Sequence, residues 1–408
     1  MSARIFCILI LAMLPAFAAT VIAQDANANA GNNVPVGNVP AGQAAPVDDL
    51  QARVDGLVGE LSSPLFPKRQ KAVTQLLQLD APAVPLLEAK LEYAPEAVAV
   101  QLRQVISNLR KRLFDNRLIG LNKTDDPAKL VGMPDWERFV AIAGSAEDAL
   151  PVYLEMLQAE KALFADRMFS SSELTAHLEQ RSTELRAACD GQLDEEYPVA
   201  SAVALMVIAS DETVTLRRGT STNISESLDE ARFEKLITDG FHAEMLRAVT
   251  SEWLKRPGLA VDRPLLLAMK YRLPVGREIA LRTLERPTYN QSTAHSLLCL
   301  GAFQQTDTLP VIEQVMNEAA ATRPVWPPFG KSVEEVSPGR DIKSTYSAQV
   351  RDVALAVAIH LRGRRPLEFG IKVTTSESQL FTLDSMGFNN DTDRNAAISK
   401  YRAAYPSP

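Results

Sequence analysis

A nine-residue proline motif occurs three times in the chain, and it constrains the fold more than any other feature. The copies are AVPLLEAKL at 83–91, ALPVYLEML at 149–157 and TLPVIEQVM at 308–316. In each copy the proline follows a small and an aliphatic residue, and apolar residues follow it at helical spacing. Proline in the first turn of a helix costs no hydrogen bond, because the amide that it lacks has no partner there. We therefore predict three equivalent helix starts within a repeated helical unit.

Helical spacing also dominates the rest of the chain. The longest apolar stripe follows Pro95 and consists of Val98, Leu102, Val105, Ile106, Leu109 and Leu113. Helix N-caps are predicted at Ser145, which resembles a capping box with Asp148, and within 389–393. A calcium loop is the alternative for 389–393, disfavoured because a loop glycine and a distal glutamate are missing. Aromatic residues make up 6% of the chain, a low share for a protein built on sheets, and we predict an all-α fold.

Prolines that start predicted helices stand at positions 85, 151, 198, 264 and 310, with separations of 66, 47, 66 and 46 residues. The shorter separations fit one helical hairpin of HEAT or armadillo size, and the longer ones fit a hairpin with an insertion. Together with VRDVALA at 350–356, this pattern resembles the HEAT-repeat (armadillo-like) family in its divergent, exported bacterial form. The resemblance implies an α-solenoid of antiparallel helical hairpins in an open superhelix. It also implies a protein or peptide partner, and it contributes no catalytic residue.

Polar and proline-rich stretches interrupt the helical pattern and set the predicted boundaries. The predicted divisions are HEAT-like repeats at 48–115, a connector at 116–134, further repeats at 135–363 with insertions at 211–226 and 321–346, and an irregular tail with a terminal helix at 364–408. The stretch 211–226 is rich in Thr and Ser, which favours a loop, with or without a short hairpin.

Residues 1–23 have the layout of a secretory signal peptide. A charged start precedes a short apolar core, and cleavage is predicted after Ala18 or Ala23. A membrane anchor is the alternative, disfavoured because the apolar run is short for a span and contains Pro15. Residues 24–47, rich in Ala, Asn, Gly and Pro, are predicted to form a disordered spacer. We expect a secreted or periplasmic protein with no membrane span in the mature chain.

Two cysteines, Cys189 and Cys299, follow the predicted leader. In an oxidising compartment a disulfide between them is one interpretation. Each cysteine lies in a partly apolar helical segment, however, and distant units of a repeat array rarely touch. Two buried free thiols are therefore the favoured interpretation.

Residue patterns typical of active sites are missing from the sequence. The histidines include no pair at the spacing of a zinc-binding helix; they are His177, His242, His295 and His360. No GxxxxGK, GxGxxG or GxSxG motif occurs. With 43 basic and 50 acidic residues and no basic stripe, nucleic acid is not expected as a partner. We predict no metal, no cofactor and no enzyme activity.

One segment is a candidate binding site, the proline-rich and aromatic VWPPFG at 325–330. We predict that Trp326, Pro327 and Phe329 anchor a partner, because prolines hold apolar aromatic side chains in place at low entropic cost. The alternative is that Trp326 and Phe329 fold back and cover the last repeats.

These features together predict an exported, non-catalytic helical-repeat scaffold that mediates protein–protein interaction in the cell envelope or outside it. The alternative is an enzyme on a closed helical toroid, such as a polysaccharide lyase or glycosidase, which requires convergent acids and sugar-stacking aromatics. The low aromatic content disfavours this enzyme. A purely structural envelope component is a third interpretation, and the sequence does not separate it from a scaffold.

Overall fold

Helices make up the regular structure of this protein. The computed structural model describes residues 47–121, 124–170, 173–190, 198–259, 262–287, 289–325, 348–375 and 379–406. Within these ranges no β-strand forms, and a single bridge pairs Pro324 with Gln349. The predicted all-α fold is confirmed. No helix in this part of the chain combines the length and the apolar character needed to cross a membrane.

The helices are numbered in chain order. The first six are α1 (Val47–Leu61), α2 (Phe66–Leu76), α3 (Ala83–Leu91), α4 (Glu96–Leu118), α5 (Trp136–Ala143) and α6 (Ala146–Ala159). The next six are α7 (Lys161–Met168), α8 (Leu174–Cys189), α9 (Val199–Ala209), α10 (Arg218–Ser227), α11 (Ala231–Asp239) and α12 (Ala243–Lys255). The last six are α13 (Asp262–Lys270), α14 (Val275–Glu285), α15 (Asn290–Ala302), α16 (Leu309–Asn317), α17 (Val350–Leu361) and α18 (Asp391–Ala404).

Two of the three proline motifs start helices as predicted, and the second does not. Pro85 and Pro310 lie in the first turns of α3 and α16. Pro151 lies inside α6, which begins at Ala146. The helix starts earlier because the Ser145 hydroxyl accepts a hydrogen bond from the amide of Asp148 at 3.2 Å, the N-cap that the sequence predicts. The prediction of three equivalent helix starts is therefore wrong for the second copy.

The stretch 211–226 differs from the predicted loop, because its second half belongs to helix α10. The hydroxyls of Ser221 and Thr222 donate to the carbonyl of Arg218 at 2.9 and 3.1 Å. A Ser or Thr hydroxyl that donates to a carbonyl of its own helix is accommodated within the helix, whereas in a loop it would offer the backbone an alternative hydrogen bond. Ile224 is fully buried, and α10 packs against α8. Tertiary packing therefore overrides the loop propensity of Thr and Ser.

The chain divides into two units, residues 1–49 and residues 50–408. Of the first unit the structure describes only the start of α1. Two apolar clusters form the core of the second unit. Helix α4 contributes to both clusters, with Leu109 and the residues before it in one, and Phe114 and Leu118 in the other. Between them lies Arg110, whose guanidinium binds the carboxylate of Glu88 and lies 3.9 Å from that of Asp166. A buried cation thus separates the two apolar halves of one helix.

The interior of the larger cluster contains three helices that are buried on nearly every side, α9, α15 and α17. In α9 every residue from Ser201 to Ala209 is buried. A helix that is apolar all round has no solvent face and must be covered by other helices. Helix α9 is accordingly contacted by α6, α8, α10 and α12.

The buried carboxyl end of α9 is capped by two arginines from other helices. Arg138 of α5 donates to the carbonyl of Val207 at 2.5 Å. Arg256, directly after α12, donates to the carbonyl of Ala209 at 2.5 Å. The last carbonyls of a helix have no partner within it, and leaving them buried without one is costly.

Both described cysteines are free, as the favoured interpretation holds. Cys299 is buried, whereas Cys189 is half-buried. Burial raises the pKa of the Cys189 thiol to about 11 and that of the Cys299 thiol to about 12. Both thiols are therefore protonated and weakly reactive at neutral pH.

The close packing of α14 can be tested at Gly276, where a Cβ atom would lie 2.8 Å from the Cys299 sulfur and 2.9 Å from the Ala268 Cβ atom. We expect Gly276→Ala to lower the free energy of unfolding by roughly 1–3 kcal/mol, the usual cost of overpacking. Urea unfolding followed by circular dichroism measures it.

The matched control is Gly56→Ala in α1, where an added Cβ atom meets nothing within 4 Å. This change should be neutral or stabilising by up to about 1 kcal/mol, because alanine is the better helix former. Equal effects of the two substitutions would contradict the packing.

Candidate functional site

The predicted anchor residues Trp326, Pro327 and Phe329 lie outside the described residues, as do positions 326–347 altogether. The two described ends of this stretch lie side by side. The amide of Val325 donates to the carbonyl of Ala348 at 2.9 Å. The role predicted for these three residues therefore stays a prediction.

A cleft of about 620 Å³ lies in the tail that the sequence predicts to be irregular. It is lined by the 3₁₀ turn Pro366–Phe369 with Gly370, by the loop 387–389, and by one face of α18. We call this site the C-terminal cleft. Its volume falls in the range of sites that hold a small ligand or a few residues of a peptide.

One wall of the C-terminal cleft is α18, which a buried ion pair fixes to α17. The Arg394 guanidinium lies 2.7 Å from one Asp352 carboxylate oxygen and 3.1 Å from the other. Asp352 is fully buried and Arg394 is 3% exposed. Burial raises the pKa of Asp352, while hydrogen bonds from Arg394 and the Gln349 amide oppose the rise. Bidentate pairing gives the contact a defined geometry.

A second polar contact joins α18 to α16. The Tyr401 hydroxyl donates to the Glu313 carboxylate at 2.6 Å. Arg362 donates to the Tyr401 oxygen at 2.8 Å and to the same carboxylate at 2.6 Å, and its guanidinium lies 4.4 Å from the Tyr405 ring centre. Burial raises the pKa of Tyr401. The hydroxyl therefore keeps its proton and remains a donor.

Aromatic side chains form part of the lining of the C-terminal cleft. Phe369 and Phe388 line it, and both are 6% exposed. At its edge Leu367 is 63% exposed, a large apolar side chain in water. Gly370 reverses the chain with φ of 87°, a left-handed conformation that favours glycine. Apolar groups at the base and the edge of a cleft are typical of binding sites.

The charged groups of the C-terminal cleft differ in how far they are neutralised. Arg364 donates to the Glu368 carboxylate at 2.6 Å and holds its pKa below the ordinary value. The ammonium of Lys400 instead contacts uncharged groups, donating to the Glu368 carbonyl at 2.6 Å and lying 5.4 Å from the Phe369 ring centre. Lys372 is exposed and makes no ion pair among the described residues.

The N-cap predicted within 389–393 is confirmed at the edge of this cleft. The side-chain oxygen of Asn390 accepts a hydrogen bond from the amide of Asp393 at 2.8 Å. Its side-chain amide donates to the Asp393 carboxylate at 2.9 Å. Both groups are thus used in starting α18.

None of the four histidines lines the C-terminal cleft. His177 binds the buried Asp166 carboxylate, and His295 lies 3.3 Å from that of Asp262. Burial lowers the pKa of His360. Across the described ranges, no group of three His, Cys, Asp or Glu side chains is arranged to hold a metal ion.

A second concavity, of about 540 Å³, lies against one face of α6. Leu154, Glu155, Gln158 and Ala159 line it together with Ala200. Glu155 is the one charged group there, whereas the C-terminal cleft combines several charges with buried aromatic side chains. The C-terminal cleft is therefore the better candidate site.

The sequence did not predict this cleft, because only the α18 wall comes from a predicted helix and the other walls come from segments without helical periodicity. The available signals were the aromatic residues Phe369 and Phe388 beside glycines in a tail otherwise short of apolar spacing. The chain matches no family model, no curated protein and no solved structure. The resemblance to HEAT repeats therefore stays a prediction.

The contact of α18 with α16 predicts a specific response to acid. Burial opposes ionisation of Glu313, but hydrogen bonds from Tyr401 and Arg362 outweigh it and hold the pKa below the ordinary value of 4.5. The unfolded chain therefore takes up this proton first, and the stabilisation is lost as pH falls from about 4.5 through the lower folded-state pKa. We expect Glu313→Gln to be less stable than the parent at pH 6 and to lose less stability between pH 6 and pH 3.5. Urea unfolding at stepped pH measures this difference.

Glu285→Gln is the control for that experiment, since Glu285 is exposed and makes no ion pair in the described part of the chain. Its acid response should follow that of the parent. If Glu313→Gln loses as much stability on acidification as the parent, the proposed linkage of Glu313 to folding is wrong.

Proposed function

We propose that this protein is an exported, non-catalytic helical scaffold that binds a partner protein, with the C-terminal cleft as a docking site. The observation that carries the proposal is the cleft itself, about 620 Å³ with buried Phe369 and Phe388 inside and exposed Leu367 at its edge. A rigid aromatic base with an exposed aliphatic edge is the composition expected of a protein-binding site.

The use of the buried charges supports a scaffold. Glu160, 2% exposed, lies 2.7 Å from Arg181 of α8. Asp135, whose side chain is 2% exposed, lies 2.7 Å from Arg167 of α7. Carboxylates that arginines hold at helix contacts fix helices in place. A catalytic acid has to face a substrate instead.

The order of helix contacts supports a repeat array of the HEAT type. Successive helices pack together at α3 with α4, α5 with α6, α7 with α8, α13 with α14 and α14 with α15. A stack of hairpins is held mainly by contacts between neighbours in sequence. Helix α12 also contacts α5 and α9, which departs from a stack held only by neighbours in sequence.

The docking site can be tested with a photo-crosslinking amino acid placed at Leu367, 63% exposed at the edge of the cleft. The matched control position is Tyr93, 82% exposed on the turn after α3. We expect a discrete crosslinked partner from position 367 and not from position 93, with partners identified by mass spectrometry. The same products from both positions would contradict docking at the C-terminal cleft.

Export is tested by expressing the full chain in bacteria and fractionating the cells. We expect the protein outside the cytoplasm, with a mature N-terminus after Ala18 or Ala23. Deletion of residues 1–23 should retain it in the cytoplasm. An uncleaved full-length chain in the cytoplasmic fraction would contradict the proposal.

A further inference from the structure

We propose, building on the docking function, that the C-terminal cleft selects an acidic peptide segment with apolar neighbours. Its carboxylates bind Lys372 and Lys400, and its apolar side chains pack on Leu367 and on the exposed edges of Phe369 and Phe388. The partner would be a protein that presents alternating acidic and aliphatic residues. No residue of this cleft lies within 325–330, the segment that the sequence predicts as a binding site.

The two carboxylates that line the cleft, those of Glu368 and Asp393, are each compensated by neighbouring groups. Among the groups that line the cleft, the Glu368 carboxylate is neutralised, because Arg364 lies 2.6 Å and Arg365 3.6 Å from it. Asp393 lies in the first turn of α18 and accepts a hydrogen bond from Asn390. A carboxylate in that position is stabilised by the amino end of the helix.

Among the residues that the structure describes, no carboxylate forms an ion pair with Lys372 or Lys400. The Lys400 ammonium donates to a backbone carbonyl and lies over an aromatic ring, and neither contact cancels its positive charge. A lysine ammonium has three donors, and one of them is engaged within the described residues. Lys372 makes no ion pair there. The cleft therefore offers two cations to an anionic ligand.

The position of the Lys400 ammonium makes it the more selective of the two lysines. Its contacts with the Glu368 carbonyl at 2.6 Å and with the Phe369 ring at 5.4 Å restrict the side chain before any ligand binds. A preorganised donor loses less entropy on binding than a mobile surface lysine. Phe369 beside it supplies an apolar surface, so a carboxylate next to an aliphatic side chain fits both features.

The test uses the full chain and a labelled hexapeptide of alternating leucine and glutamate, with its glutamine twin and free glutarate as comparisons. Binding is measured by fluorescence anisotropy for the peptides and by displacement for glutarate. We expect the acidic peptide to bind at least about tenfold more tightly than its glutamine twin, and more weakly as salt rises, since exposed charges are screened. Glutarate should displace it only at much higher concentration, because glutarate lacks the apolar side chains.

The variants separate the charge from the fold. Lys400→Met should weaken acidic-peptide binding about tenfold, the scale of one charge-assisted hydrogen bond, while Lys400→Arg should retain most of it. Lys372→Met should weaken it as well. The control is Lys235→Met, since Lys235 is exposed on α11 without an ion pair in the described ranges. Circular dichroism confirms that each variant keeps its helical content.

Each outcome decides a different part of the proposal. Equal binding of the glutamine twin, or no loss in Lys400→Met, overturns the selection of acidic segments while crosslinking at Leu367 still supports docking. Displacement by glutarate at the same concentration as the peptide overturns the apolar contribution. Absence of both peptide binding and crosslinking overturns the docking function itself.

Discussion

The fold depends on hydrogen-bond partners for the carboxyl end of a helix that is almost entirely buried. Helix α9 is apolar on every side, and its terminal carbonyls lie in the interior. Arg138 of α5 and Arg256, which directly follows α12, donate to these carbonyls from positions distant in sequence. The same arginines fix α5 and α12 against α9. Half-buried arginines therefore help to set the positions of these helices, together with apolar packing.

Arginines also hold helices together in the C-terminal tail. Arg394 fixes α18 to α17 through the Asp352 carboxylate, and Tyr401 joins α18 to α16 through the Glu313 carboxylate, to which Arg362 also donates. The α18 wall of the C-terminal cleft is thus held by an ion pair and by hydrogen bonds between helices, which gives the proposed binding surface defined side-chain positions. Lys372 and Lys400 make no ion pair among the described residues, and in the proposed function they contact the partner.

Local sequence was sufficient to predict the helices and several of their ends. Helical spacing indicated an all-α fold, and the caps at Ser145 and Asn390 lie where their residue types suggested. Helix α10 was missed because Thr and Ser favour loops unless their hydroxyls bond within a helix. The C-terminal cleft was missed because Lys400 and Glu368 meet across 32 positions. Contacts of this kind depend on how α18 packs against the rest of the protein, and residue spacing along the chain does not predict that packing.

Helix α4 links the two apolar clusters, and this has a consequence for the order in which the protein forms. The buried residues of the smaller cluster end at Leu109 and are all synthesised before any part of α5; only Phe169, which packs against them from the outside, follows α5. A chain that emerges amino end first can complete this cluster early, as domains do during synthesis. The second half of α4, with Phe114 and Leu118, then presents an uncovered apolar surface. The nascent helix would serve as a template on which α5 to α7 assemble.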